Sequence, residues 1–172
     1  MPRFKRLVDE GLVRHVGVSN HTLPAWQLAE HAFRGPVLSN QVLFSLAHRE
    51  PERELVPWAQ KNGRVVIAYS PLGQGLLSGK YQDAPPTNFR RMRKNFRPQS
   101  RVRFQPLISA LREIGDAHHA TPAQIALAWL IRMQNVVAIP GASSVSQLEE
   151  NVAAAGIDLD ESEASRLDRL SA

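Results

Sequence analysis

The sequence predicts an α/β fold in which four parallel strands are flanked by helices. Three observations carry that prediction. Short β-branched apolar runs alternate four times with longer helical patterns, at least ten residues separate successive strand candidates, and the clearest run, Arg64 to Tyr69 (RVVIAY), is apolar throughout after its arginine. Spacings of that length call for crossover connections and therefore parallel, right-handed pairing. A continuous apolar run suits a strand covered on both faces of such a sheet. Four β/α units amount to half of an eight-stranded barrel, which takes roughly 250 residues when complete. On periodicity alone, an open four-stranded sheet is the alternative.

The elements follow in order along the chain. Gly11 stops a first helical pattern, and Arg14 to Val18 (RHVGV) reads as a strand. Thr22 is placed to cap a helix carrying Leu23, Trp26, Leu28, Ala29 and Phe33 on one face, ended by Gly35-Pro36. Val37 to Val42 is the second strand candidate. Glu50 to Asn62 reads as a helix with Leu55, Val56, Trp58 and Ala59 at helical spacing, stopped by Asn62-Gly63. After the third strand comes a Gly/Pro-punctuated stretch, Ser70 to Pro98, longer than an ordinary connection, and long ordered loops in compact domains are usually functional. Leu107, Ala110, Leu111, Ile114 and Ala117 then form one helical stripe. Thr121-Pro122, a cap followed by proline at the first helical position, opens AQIALAWLIRM. Val136 to Ile139 is the fourth strand, broken by Pro140-Gly141. Ser144 begins a helix containing Gln147, Leu148, Glu150, Asn151 and Val152, and Asp160 to Leu170 reads as a terminal helix.

The 172 residues, 43% hydrophobic and 22% charged, read as one globular domain. The absence of cysteine excludes thiolate catalysis, iron–sulfur clusters and cysteine-ligated zinc. No run approaches the ~18 apolar residues of a membrane span, and the start has no continuous apolar signal-peptide core, so a cytoplasmic protein is the expectation. The net charge of +5 is local. Seven basic and no acidic residues lie between Asn88 and Phe104, leaving 14 of the 21 basic residues against all 16 acidic ones elsewhere. Phe89, Phe96 and Phe104 interleave with these charges in the manner of a stacking platform for nucleic acid. No recognition motif accompanies them, which favours a solvated loop entering an amphipathic helix.

In any parallel α/β fold the ligand sits beyond the C-terminal strand ends. Those ends carry Ser19-Asn20, Asn40-Gln41, Tyr69-Ser70-Pro71-Leu72 and Pro140-Gly141-Ala142-Ser143. The set supplies amide and hydroxyl groups for hydrogen bonds, one aromatic ring for stacking, and a glycine-containing turn feeding a helix N-terminus suited to an anion. Gln147, Glu150 and Asn151 share one face of that helix. Singly, each residue has an ordinary reading as a helix cap, a satisfied polar group or a core-edge aromatic. Among the histidines, His118-His119 at a helix end read as compensation of the helix dipole. His15, His21, His31 and His48 are scattered, and no pair has metal-ligand spacing, so no metal is expected. Asp158, Asp160 and Glu161 read as caps and charges of the last helix.

With these residues in place, the sequence resembles the aldo-keto reductases. The resemblance rests on GVSN at Gly17 to Asn20, NQ at Asn40-Gln41, AYSPLGQGLLSGKY at Ala68 to Tyr81, TPAQIALAW at Thr121 to Trp129 and IPGASSVSQLEEN at Ile139 to Asn151, in the family's order. It is most similar to the branch of bacterial reductases and potassium-channel beta-subunits. It implies the C-terminal half of a (β/α)8 barrel that binds NADP(H) across its strand ends and reduces an aldehyde or ketone. By that resemblance Ser19, Asn20 and Gln41 hold the nicotinamide carboxamide and Tyr69 stacks on the ring. Ser70, Leu72, Gly73 and Gly75 line the pyrophosphate, Lys80 and Arg90 meet the phosphates, and Gly141, Ser143, Gln147, Glu150 and Asn151 hold the adenosine half.

The resemblance starts within the family's fourth helix. The family's proton-transfer tyrosine, lysine, aspartate and histidine come from the preceding units, so no catalytic residue is assigned here and the chain alone is expected to be inactive. A non-catalytic nucleotide-binding or scaffold module, or a non-functional gene fragment, is the alternative. The two outer strands should be sheet edges, with Val16, Val18, Val37, Ile67 and Val137 facing a missing half. Unpaired edges are templates for another chain, so a homodimeric pseudo-barrel, a complementary half-barrel or aggregation is expected.

Overall fold

The computed structural model describes residues 2–81 and 96–171. Strands β1 (Gly17–Ser19), β2 (Ser39–Leu43), β3 (Val65–Tyr69) and β4 (Val136–Ile139) form one parallel sheet in chain order, so β1 and β4 are its edges. Helices α1 (Pro2–Asp9), α2 (Leu23–Phe33), α3 (Glu50–Arg53), α4 (Leu55–Lys61), α5 (Pro98–Ala117), α6 (Pro122–Ile131), α7 (Val145–Ala153) and α8 (Glu161–Ser171) surround it, with 3-10 turns at Gly73–Ser78 and Ala154–Gly156. No helix of the described residues is long and apolar enough to cross a membrane.

One face of the sheet makes the core. Asn40, Val42, Val66, Ala68 and Val136 are buried, and they alternate with Ser39, Gln41, Leu43, Val65, Ile67, Tyr69, Val137 and Ile139, which are half-buried or exposed. That alternation is the period of two of a strand covered on one face only. Onto the covered face α2 brings Trp26, Ala29 and Phe33, and α6 brings a buried run from Ile125 to Leu130. The Trp26 indole donates to Val37 O at 3.0 Å, and its ring meets Trp58 edge-on at 5.0 Å. Glu30 accepts from both Val37 N (3.0 Å) and Arg64 Nε (2.6 Å), tying α2 to the starts of β2 and β3.

Several expectations are corrected here. The first strand starts at Gly17 and not Arg14, because among the described residues only Val16 of the preceding segment bonds across, its carbonyl accepting from Leu38 N at 2.7 Å, and the second runs from Ser39 to Leu43. Val37 is fully buried and Val18 shares the helix-covered face of Asn40, so only Ile67 and Val137 of the expected set stand on the open strand face. Leu28 is 67% exposed and off the buried stripe of α2. Thr22 is the N-cap of α2 by position, but its side chain makes no cap bond. The Glu50 to Asn62 helix is broken at Glu54 (φ −130°), because Pro57 lacks an N–H and its ring would collide with the Arg53 carbonyl in a continuous helix. Phe96 and Phe104 are core residues, and Arg103 lies 5.5 Å over the Phe104 ring, so neither ring is open to a base. Phe89 lies outside the described residues.

Other local readings hold. Thr121 and Gln124 close a capping box at the start of α6. Asp160 caps α8 by accepting from Ser162 N (2.8 Å) and Glu163 N (2.9 Å). His118 ends α5, and its Nε2 stands 2.9 Å from Glu163 Oε1 of α8, a partner that the helix-end reading did not include.

Candidate functional site

Register aligns the C-terminal strand ends. Ser19 stands beside Gln41, and Leu43, Tyr69 and Ile139 stand level across three strands. The chain turns sharply beyond them. Asn20 (φ 55°) directly after β1 and Ser70 (φ 51°) directly after β3 both adopt the left-handed conformation that non-glycine residues seldom take.

A continuous line of hydrogen bonds joins the residues of the first three ends. Tyr69 Oη donates to Asn20 Oδ1 (3.1 Å), Asn20 Nδ2 donates to Ser19 Oγ (3.1 Å), and Ser19 Oγ donates to Gln41 O (3.0 Å). Asn20 N reaches the same carbonyl at 2.9 Å. The Gln41 amide, on the open face, makes no hydrogen bond among the described residues. Ser19 and Asn20 are exposed and Tyr69 is half-buried. The set therefore offers one unclaimed amide, a hydroxyl and a fixed aromatic ring side by side.

Asn40 behaves differently from its neighbour. It is fully buried, donates to His21 O at 2.8 Å and accepts from His21 N at 3.4 Å. It fixes the turn that presents Asn20 and does not itself face a ligand.

The loop after β3 is tightly folded on itself. Gly73 is buried against Ala47, Leu76 and Leu77, and its N–H donates to Ser70 O at 2.9 Å. Gly75 has φ 98°, and a Cβ there would stand 3.1 Å from the Tyr81 ring, so glycine is required; its N–H donates to Leu72 O at 3.0 Å. Both glycine amides are thus engaged within the loop. Lys80 is exposed at the end of this segment, and Arg90 lies outside the described residues.

The last strand end leads into α7. Ser144 caps the helix by accepting from Gln147 N at 3.2 Å. Gln147 Oε1 takes both Ser143 N (2.8 Å) and Ser143 Oγ (3.0 Å), so these two residues form one unit. A Cβ on Gly141 would meet nothing within 4 Å, which leaves open space above the turn. Glu150 is exposed, its backbone carbonyl held by Gln124 Nε2 at 3.2 Å, and Asn151 is half-buried.

Sequence reasoning missed one wall of the site. A cleft of about 500 Å³ beside Asn20 and Tyr69 is lined by His21, Leu23, Leu43, His48, Glu50, Arg53, Glu54 and Leu55 among others. His48 and His21, unrelated by sequence spacing, both line it because β1 and β2 are neighbours. Only the register brings them together, and among the described residues no group of three or more His, Asp or Glu is placed to hold a metal.

Comparison with known proteins agrees with this architecture. Uncharacterized oxidoreductases of Mycobacterium tuberculosis and Mycobacterium bovis are 51% identical over 160 residues, which is 92% of this chain and 50% of theirs. The aldo-keto reductase yakc [NADP(+)] of Schizosaccharomyces pombe is 31% identical, over 92% of this chain and 48% of its own. Among solved structures, an aldo-keto reductase of Klebsiella pneumoniae in complex with NADP and acetate is 34% identical with a TM-score of 0.73, covering 97% of this chain and 51% of that one. A thermostable aldo-keto reductase in complex with the inhibitor epalrestat is 36% identical with a TM-score of 0.78, covering 97% and 52%. The chain spans about half the length of the curated relatives it matches, and its four strands and helices correspond to half of their barrels. The family model described as Aldo/keto reductase family matches residues 1–172, and with these relatives it establishes that the chain belongs to the aldo/keto reductase family.

Proposed function

We propose that these strand ends form the nucleotide side of an NADP(H)-dependent carbonyl reductase. The observation that carries the reading is the line from Tyr69 through Asn20 and Ser19 to Gln41. A carboxamide has one acceptor and one donor group, and the free Gln41 amide beside the Ser19 hydroxyl and the Asn20 side chain offers both complements. Tyr69, its hydroxyl anchored on Asn20, presents a ring face that cannot turn away. The Ser143–Gln147 unit and the open space at Gly141 supply the other end, near a helix N-terminus that favours an anionic group. NADPH, when bound, supplies the hydride for an aldehyde or ketone. The chain's own residues orient the ring and its carboxamide. Lys80, with Arg90, supplies cationic charge for the extra phosphate of NADPH.

Reduction also needs a proton donor at the carbonyl oxygen. The two tyrosines are Tyr69, bonded to Asn20, and Tyr81, packed edge-on against Phe96 at 5.2 Å. On this reading the 172 residues bind nucleotide weakly and do not turn over alone. Purified chain incubated with NADPH and a simple aromatic aldehyde is expected to show no oxidation of NADPH above the uncatalysed rate, while nucleotide titration still saturates. Turnover abolished by Tyr69→Ala or Tyr81→Phe would reject the first statement, and absence of saturation the second.

Completion of the barrel is part of the same reading. Level with Ser19 across the sheet stand Gln41, Ile67 and Val137. A barrel of this class is staggered by roughly eight residues around its circumference, so two identical junctions would take about four each. In a two-fold dimer Val137 would then lie beside His15 of a second copy, so that β4 pairs with the segment Arg14 to Gly17, which reads as strand in the sequence. A complementary half-barrel is the alternative occupant.

A further inference from the structure

We propose that Arg49 is a positioning residue that ties the wall of the strand-end cleft to the C-terminal helix α8. The functional weight of this inference rests on the ligand reading above; its test does not. Arg49 sits between the cleft-lining residues His48 and Glu50, and its guanidinium points away from them, into the body of the fold. Nε bonds Glu52 Oε2 at 2.6 Å, Nη1 donates to Asp168 O at 2.7 Å and to Ser171 Oγ at 2.9 Å, and Nη2 meets Asp168 Oδ1 at 2.9 Å. The Trp129 ring lies 5.1 Å beneath it.

The acceptor side is equally fixed. Asp168 takes the Trp129 indole N–H at 3.0 Å and Arg132 Nη2 at 3.1 Å, and the buried Ser171 hydroxyl donates to Leu167 O at 2.7 Å, leaving its lone pair for Arg49. The Arg49 and Asp168 side chains are 20% and 31% exposed, so this is a partly desolvated, charge-assisted network and not a surface pair.

Apart from Arg49, the cleft wall is held by packing, with Pro51 and Val56 buried and Ala47 and Leu55 against the core. The short helix α3 packs chiefly on α4, and among the described residues no hydrogen bond crosses the cleft from Glu50, Arg53 or Glu54 to Asn20, His21 or Tyr69. Helix α8 packs on α5, the helix that follows the long loop after β3. One side chain therefore joins the cleft wall to the layer formed by α5 and α8. Without Arg49 the segment from Ala47 to Leu55 should open locally while sheet and helices persist.

Proteolysis by a glutamate-specific protease reads this directly, with the Glu54–Leu55 bond in the wall and the exposed Glu10–Gly11 bond as an internal control. Cleavage in the opened state follows the population of that state. In Arg49→Met and Asp168→Asn, cleavage after Glu54 is expected to rise about tenfold relative to cleavage after Glu10. Arg49→Lys should fall between these and the wild type, and Arg132→Met, which leaves every Arg49 contact in place, should stay near it. Equal acceleration at both bonds, or a ratio unchanged from wild type, overturns the proposal. Should Arg49→Met not fold, Ser171→Ala removes one acceptor only. Amide exchange of residues 47–55 should then rise severalfold with the rest of the chain unchanged, and unchanged exchange in that segment contradicts the proposal.

Discussion

Removing the Asn40 side chain should loosen the site from beneath, without touching a residue that faces ligand. Asn40 is fully buried, and its amide satisfies both backbone groups of His21: the C=O at 2.8 Å and the N–H at 3.4 Å. In Asn40→Ala the short bond is lost and a partly buried carbonyl is orphaned, at ~1–3 kcal/mol, while the long bond contributes roughly 0.5 kcal/mol. Together they give about 1.5–3.5 kcal/mol. For a chain of this size a kcal/mol moves Tm by roughly 2–4 °C, so the Tm from a thermal melt followed by circular dichroism should fall by about 3–14 °C. Asn40→Asp should be at least as damaging near neutral pH, because one carboxylate oxygen is forced against the His21 carbonyl. It should recover on acidification, when the introduced carboxyl can donate to that carbonyl. A Tm for Asn40→Ala within about 1 °C of wild type would show that the turn presenting Asn20 holds itself.

Other outcomes are equally open to measurement. Gly115→Ala, which in a free helix would stabilise by ~1 kcal/mol, should instead destabilise by roughly 1–3 kcal/mol, because a Cβ there stands 2.5 Å from the backbone oxygen of Ala120; a raised midpoint in urea would contradict that. The backbone N–H of Glu163, followed by the Ser162 side chain, holds the Asp160 carboxyl below the usual carboxylate value. A lowered folded-state value means that its contribution to stability is complete above the ordinary carboxylate range and is lost as the pH falls through the folded value. Asp160→Asn should therefore narrow the difference in Tm between neutral and strongly acidic solution, and an unchanged difference would refute the cap's role. The exposed edge is also testable: Val137, Ile139, Val145, Leu148 and Val152 are 43–73% exposed on β4 and one stripe of α7. Light scattering should show association at micromolar concentration that Leu148→Glu together with Val152→Lys weakens, whereas a strict monomer with a concentration-independent melt would show that the half-barrel stands alone.

How much of this was legible in the sequence depends on where each signal comes from. The sheet order and the edges were, because β3 announces itself as a continuous apolar run and the long spacings allow only parallel crossovers. The caps at Thr121, Ser144 and Asp160 were legible because each is a local event within three residues. Boundaries failed where pairing decides them: Arg14 to Val16 has strand composition, but the single bond from Leu38 N to Val16 O does not extend the ladder. The break at Glu54 is caused by Pro57, three residues further on, and was hidden by good apolar spacing on either side. In the site, residue identity at the strand ends located Ser19, Asn20, Gln41 and Tyr69, but their linking bonds depend on register. Asn40 and Gln41, adjacent in sequence, part company because successive side chains face opposite sides of the sheet. The bonds from the Gly73 and Gly75 amides to the loop's own carbonyls belong to the folded loop and have no sign in residue type. The cleft wall around His48 and Glu54, and its tether through Arg49 to Asp168 across 119 positions, carried no local signal at all.

The central claim is that the C-terminal strand ends are a nucleotide cradle, and a titration of isotopically labelled chain with NADP(+), followed by amide chemical shifts, tests it most directly. Saturable shifts are expected at Ser19, Asn20, Gln41, Tyr69 and the turn from Gly141 to Gln147, reduced by Tyr69→Ala and weaker with NAD(+) at the same concentration. Shifts that never saturate, or that cluster at the N-terminal ends of the strands around Lys5, Arg14 and Arg34, would contradict it.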